Sequence, residues 1–562
     1  MTFETVETDE TAAGEIELQV AKGQSPKPDV VEILDSNQSV PPLSKFAFAM
    51  VFVGLALGVF LASLDQTIVA VALQAIAAEF DNLDQINWIA TGYLLTSTAF
   101  IPVYGQLADI LGRKTSFLLA ISIFEIGSLL CGVAVSMNML IAARAIAGIG
   151  GSGIFSLVMI IVSDLTTQKE RGQYMGIIGA VFGVASVVGP LLGGVFVDYV
   201  SWRWVFYINL PFGVFTIGVV VLFLRLPNNN KESLLESLKR IDWTGTLLLI
   251  AAVICLLIPI QGGGSQYAWN SPTVIALFVV GFLLVFAFIY VEGWVAKNPV
   301  LPFKLFKNRQ TVFSFVTIFW LGCGFLVIVF YSPLWFQIVL GSTATQAGIK
   351  TIPNVMGLVV LAISSGLVAS VTGHFFPFIP LSAVLMAVGA GLLSTMRENA
   401  ANWQPILYLI ISGSGLGSGV QTILISAQIS VGAESLAGVT ATTNFFQTIG
   451  AVIGLAITSS LFNNNLVNNI ENALVAYNTS LAALQPAGIL NPSIVFTSPA
   501  SIHNASIVAD GSALQVALVH GYLDTLSPLF HLPIIFAALM LISSIFVKKD
   551  KLEQGTEIAI GA

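Results

Sequence analysis

The chain has 562 residues, of which 22 are Lys or Arg and 30 are Asp or Glu, so 9% is charged where a soluble domain carries about 25%. Hydrophobic residues make up 56% and the mean hydropathy is +0.88, enough for about fourteen membrane crossings of about 20 residues each, which excludes a cytosolic enzyme. The net charge of −8 says little about partners, because nine acids between Glu4 and Asp35 sit in residues 1–46 against three lysines.

That first segment, 1–46, is polar, acidic and without an apolar h-region. It is therefore no secretory signal peptide, and it is expected to stay disordered in the cytosol. Apolar runs then begin near residues 47, 88, 116, 138, 173 and 204, six crossings within 47–225. Two more begin near 244 and 273 in a linker over 226–311, with Gly262, Gly263 and Gly264 turning between them. The last six begin near 312, 347, 377, 404, 439 and 528 within 312–547, and a short cytosolic tail, 548–562, follows. Backbone groups in lipid must bond within their own segment, so these runs are helices. The expected fold is an all-α membrane protein of two six-helix bundles with two extra central helices; a twelve-crossing alternative discards the pair near 244 and 273.

An even number of crossings puts both tails on one side, and 18 of the 22 basic residues fall on that side. Only Arg203, Lys350 and Arg397 lie opposite, with Arg144 inside a crossing. Cytosolic loops collect Lys and Arg, so both termini are cytosolic. Segment 462–527 is then extracellular, and it carries two glycosylation sequons, at Asn478 and Asn504; chance occurrence in an Asn- and Ser-rich loop is the alternative. Cys131, Cys255 and Cys323 all lie in apolar runs, where a thiol packs as a small hydrophobe, and no disulfide or zinc framework is implied. A faint internal repeat is visible, since Gly105 and Gly112 recur at the same spacing as Gly366 and Gly373.

Uphill movement of a solute needs nucleotide hydrolysis or an ion gradient. The chain has no GxxxxGK[ST] phosphate loop, and its one GxGxxG, at Gly148, Gly150 and Gly153, lies in a crossing, where glycines serve close helix packing. No nucleophile–base pair or metal cluster is discernible, so no catalytic residue, metal or cofactor is expected. The informative groups are ionisable residues at membrane depth, which cost about 2.5–3.5 kcal/mol each on insertion scales unless paired or hydrated. Asp65 lies about 19 residues into the first crossing, Glu125 at the centre of the third, and Arg144 one to two turns into the fourth. Either these carry a proton as a cavity changes sides, or they form a structural ion pair. In the fifth crossing Gly183, Gly189, Pro190, Gly193 and Gly194 make a bendable helix with a flat face, because Pro190 removes a backbone donor; passive close packing is the alternative. Candidates for a central cavity are Trp320, Gln337, Asn354, Gln421, Gln428 and Asn444, each also explicable as interhelical bonding or packing.

The run Gly105-Gln106-Leu107-Ala108-Asp109-Ile110-Leu111-Gly112-Arg113-Lys114 resembles the loop signature of the major facilitator superfamily, and Arg144 with Gly148 resembles its fourth-crossing motif. The fifth-crossing Gly-Pro motif, followed by Ser201-Trp202-Arg203-Trp204-Val205-Phe206-Tyr207-Ile208-Asn209-Leu210-Pro211, is similar to the fourteen-span drug:proton antiporter branch, especially fungal toxin and multidrug efflux pumps. Leu64-Asp65-Gln66-Thr67-Ile68-Val69, Asn298-Pro299-Val300-Leu301-Pro302 and Asn444-Phe445-Phe446-Gln447 are similar to that branch as well, with Gln74 and Gln447 departing from it. The resemblance covers nearly the whole chain. It implies a cytosolic charge latch at Gly105, Asp109, Gly112 and Arg113, proton coupling at Arg144, a first-crossing substrate or proton path at Asp65, and an antiporter bend at Gly189 and Pro190. The implied function is proton-coupled, alternating-access export of amphipathic organic compounds by a monomer in the plasma membrane, with small molecules, protons and the bilayer as partners and no nucleic acid. A plasma-membrane or vacuolar carrier of small nutrients such as basic amino acids, and a non-transporting membrane sensor, remain as alternatives.

Overall fold

Each apolar run becomes a helix in the computed structural model, which describes residues 44–80, 85–224, 236, 239–263, 267–401, 403–432, 435–477, 502 and 512–548. Most of the acidic first segment, the C-terminal tail from 549, and both sequons, Asn478 and Asn504, lie outside the described residues. The first bundle contains α1 (Lys45–Phe80), α2 (Ile86–Leu111), α3 (Arg113–Gly132), α4 (Met137–Leu165), α5 (Gln168–Tyr199) and α6 (Asn209–Phe223). The inserted pair is α7 (Trp243–Gly262) and α8 (Pro272–Tyr290). The second bundle contains α9 (Arg309–Val339), α10 (Ala344–Thr372), α11 (Phe378–Ser394), α12 (Trp403–Ile429), α13 (Leu436–Ala476), and a last crossing made of α14 (Ala513–Leu529) and α15 (His531–Ser544). Among the described residues, thirteen segments are long and apolar enough to span a bilayer, and α11, with 17 residues, is a shorter apolar helix.

Local chemistry sets the helix starts. Ser136, Thr167, Asp242, Ser271, Asn308 and Ser512 each accept a backbone N–H of the following turn, and Thr343 with Gln346 closes a capping box on α10. These caps satisfy amides that the helix itself leaves open.

The two bundles repeat one packing scheme. In the first, α5 packs on α1, α4 on α2 and α3, and α6 on α1 and α3; in the second, α13 packs on α9, α12 on α10 and α11, and α15 on α9 and α11. The halves meet along two seams, α5 against α10 and α2 against α13. This gives the repeated glycines a physical reason. A Cβ on Gly105 would lie 2.6 Å from Ala441 Cβ, and one on Gly366 would strike the Gly172 backbone, so the first glycine of each pair lets a seam close. The second of each pair, Gly112 with φ 85° and Gly373 with φ 72°, takes a left-handed turn that side chains resist. Of the inserted pair, α7 buries Leu249, Val253 and Leu257 among Leu95, Ala99, Phe445 and Val452, whereas α8 leaves Phe282, Leu283 and Phe286 exposed, as a lipid-facing helix does.

Candidate functional site

The first bundle holds a buried ionic cluster. Arg144 on α4 reaches Asp65 on α1 with Nη1 2.5 Å from Oδ2, the two side chains being 2% and 0% exposed. Arg144 Nε also donates to the Ile89 carbonyl (3.3 Å), and its guanidinium lies 4.5 Å over the Tyr93 ring. Asn209, at the start of α6, donates from Nδ2 to Asp65 Oδ1 (3.3 Å) and to Ser128 Oγ (3.1 Å). One turn before Ser128 on α3 stands Glu125, buried, with neither carboxylate oxygen in a hydrogen bond. Its carboxyl occupies the space that a side chain at Gly213 of α6 would fill. Asp65 and Arg144 are thus a matched pair, and Glu125 is a neighbouring acid without a counter-ion. A lone ionised carboxylate at this depth is costly.

Between α2 and α3 Arg113 joins two acids, with Nη1 3.1 Å from Asp109 and Nε 2.9 Å from Asp164 at the end of α4. The loop signature therefore closes on a third residue that sequence reasoning did not single out. A second unforeseen group is Arg171 on α5, which donates to the Ser163 carbonyl (2.8 Å) and to Gln428 Oε1 of α12 (3.2 Å). Gln428 Nε2 in turn donates to Ser163 Oγ and Thr440 Oγ1, both at 2.9 Å, so this network ties the two bundles together. Gln106 reaches the Asn298 carbonyl (2.7 Å), joining α2 to the end of the inserted pair, and Glu292 accepts the Val300 and Leu301 amides within that same turn.

Helix α5 runs unbroken through Pro190. Gly189 and Gly193 pack on Thr67 and Ile68 of α1, Gly183 packs on Val355 and Val359 of α10, and Gly194 meets nothing within 4 Å. Thr67 Oγ1 approaches the Ala185 carbonyl at 3.4 Å, just before the proline. The cavity candidates separate. Gln421 lies on the seam beside Gly179, and Gln428 belongs to the Arg171 tie. Asn354 donates within its own bundle to the Leu409 carbonyl (3.2 Å), and Trp320 stacks on Phe536 of α15. Gln337 and Asn444 are half-buried.

Outside the crossings, Glu79 takes the Trp202 indole N–H (2.5 Å) and pairs with Arg203 (2.8 Å). The Trp202 hydrogen bond, with Arg203 beside it, holds the Glu79 carboxyl below its ordinary value. The pin explains part of the run that follows the fifth crossing: Trp202 and Arg203 fasten the C-terminal end of α1, and Asn209 serves the buried pair.

Two bundles of one design, joined along seams at which buried polar groups meet, define a multi-pass membrane transporter. The sequence profile of the Major Facilitator Superfamily matches residues 55–455, and the chain belongs to that superfamily. It is 39% identical over 444 residues to the MFS-type efflux pump MFS1 of Arthroderma benhamiae, covering 78% of this chain and 83% of that one. It is 37% identical to efflux pump aflT of Aspergillus parasiticus (76% and 84% covered) and 34% identical to the MFS-type transporter phomT of Diaporthe leptostromiformis (96% and 88% covered). Among solved structures, the proton:xylose symporter XylE superposes with TM-score 0.54 at 13% identity, over 90% of this chain and 97% of that one, a likeness of fold.

Proposed function

We propose that the protein exports amphipathic organic molecules, of the secondary-metabolite, toxin or drug type, in exchange for protons moving inward. Its setting in this reading is the plasma membrane, with both termini cytosolic and one chain as the working unit. Export is drawn from the relatives named efflux pumps. The observation that carries proton coupling is the unpartnered Glu125 carboxyl beside the Asp65–Arg144 pair. Protonation relieves Glu125 of a charge that nothing offsets, and a proton arriving at Asp65 releases Arg144, so the network has two occupancy states that a swing of the bundles can select between. The Asp109–Arg113–Asp164 latch and the Arg171–Gln428 tie hold the cytosolic side shut in one of those states. α5 rocks about Gly189 and Pro190 on α1.

The test is reconstitution of the full chain in proteoliposomes with an imposed pH difference. Uptake of a fluorescent amphiphile into inside-out vesicles should follow the proton gradient and stop when an ionophore collapses it. Equal transport with and without the gradient would refute the coupling.

A further inference from the structure

Gln421 of α12 faces the first bundle at the seam, 2% exposed, and its Oε1 is enclosed without accepting a hydrogen bond. Its Nε2 lies 3.3 Å from where a Cβ on Gly179 of α5 would stand. A buried amide oxygen left unsatisfied is unfavourable, so a donor from outside the protein improves it. One turn further along α5 comes Phe182, whose ring centroid is 6.2 Å from Phe155 of α4 and 6.2 Å from Phe325 of α9. These three half-buried rings cross from one bundle to the other. Phenyl faces and edges receive a flat aromatic ring in offset or edge-on contact.

The same stretch has no charge to offer. α5 carries no Asp, Glu, Lys or Arg from Gly172 to Val197, α12 carries none, α9 has none after Arg309, the sole one on α10, Lys350, donates to Ser342 near the start of that helix, and the two on α4, Arg144 and Asp164, are paired with Asp65 and Arg113. An ionised guest would be desolvated there without a counter-ion. Resting on the export reading above, we propose that Gln421 with Phe155, Phe182 and Phe325 forms a cargo site for an uncharged, flat aromatic molecule bearing a hydroxyl or N–H donor. Its ring lies against Phe182 and Phe325, and its donor points at Gln421 Oε1.

The experiment measures binding to the purified full chain by ligand-induced thermal shift and export in proteoliposomes, using 2-hydroxyanthraquinone, 2-methoxyanthraquinone and anthraquinone-2-carboxylate. Wild type should bind the hydroxyl probe about tenfold tighter than the methyl ether, the worth of one hydrogen bond, and should bind the carboxylate least. Gln421→Leu should bind the two neutral probes equally, with its methyl-ether affinity unchanged, which also reports a folded site. Phe182→Ala should weaken both neutral probes together. A hydroxyl preference that survives Gln421→Leu, or carboxylate binding equal to the hydroxyl probe, overturns the proposal. The two readings fail separately: selective binding without export would remove the pump and leave the site, while export without selectivity would do the reverse.

Discussion

The two bundles share a packing scheme and differ in chemistry. Every acid or base buried in a crossing of either bundle, among the described residues, belongs to the first bundle: Asp65, Glu125, Arg144 and Arg171. The second bundle is stitched by neutral groups, such as Thr317 to Ser543 (2.9 Å), Ser314 to Ser426 (3.2 Å) and Gln310 to the Ser426 carbonyl (3.1 Å). Neutral interhelical bonds in a membrane contribute about 0.6 kcal/mol each, whereas stranding one member of a buried ion pair costs about 3–5 kcal/mol. A duplicated scaffold has therefore been divided into a half that buries charge and a half that is held by neutral groups.

The largest expected effect breaks this contrast at its centre. Asp65→Asn strands Arg144 and should both lower thermal stability and abolish gradient-driven export, while the double variant Asp65→Asn/Arg144→Gln should recover stability, measured by size-exclusion melting, without recovering export. Thr317→Val in the second bundle should leave export near wild type; a loss as deep as that of Asp65→Asn would end the division of labour. Next, Glu125→Gln fixes the neutral form, so uphill transport should fall about tenfold if one proton step is lost, with cargo exchange at equal pH retained. Undiminished uphill transport in Glu125→Gln would take that acid out of the coupling.

Smaller effects are expected at the rims. Asp164→Asn removes one arm of the cytosolic latch between part-exposed groups, about 1 kcal/mol, and should raise cysteine labelling of the cytosolic seam up to about fivefold. The smallest concerns Glu79. Because its carboxyl is held below the ordinary 4.5, the pin to Trp202 and Arg203 is fully formed above that pH and is lost as the external pH falls through the lowered value. Trp202 fluorescence followed from pH 6 to pH 3 should show a transition that Glu79→Gln lacks.

Much of this molecule was legible in its sequence because lipid is an exacting solvent. Hydropathy gave the crossings, and the depth of Asp65, Glu125 and Arg144 marked the cluster before any partner was known. What stayed hidden were partners across space. Asp164 and Arg171 sit near helix ends, where charge is ordinarily solvated, and nothing local reveals that one meets Arg113 and the other crosses to Gln428. Polar and aromatic groups on a crossing look alike in sequence whether they face a lumen or a neighbouring helix, and only the helix rotation, set by tertiary packing, puts Gln421 beside Gly179 and Asn354 against the Leu409 carbonyl.

The bond from Gln106 to the Asn298 carbonyl bears on what the inserted pair α7 and α8 does. It moors the inserted pair to the inner tip of α2, the helix that also carries Asp109. When that tip moves, α7 and the lipid-facing α8 are towed along, and the surrounding acyl chains must rearrange with them. Bilayer stiffness would thereby load any such motion through two helices that lie outside both bundles.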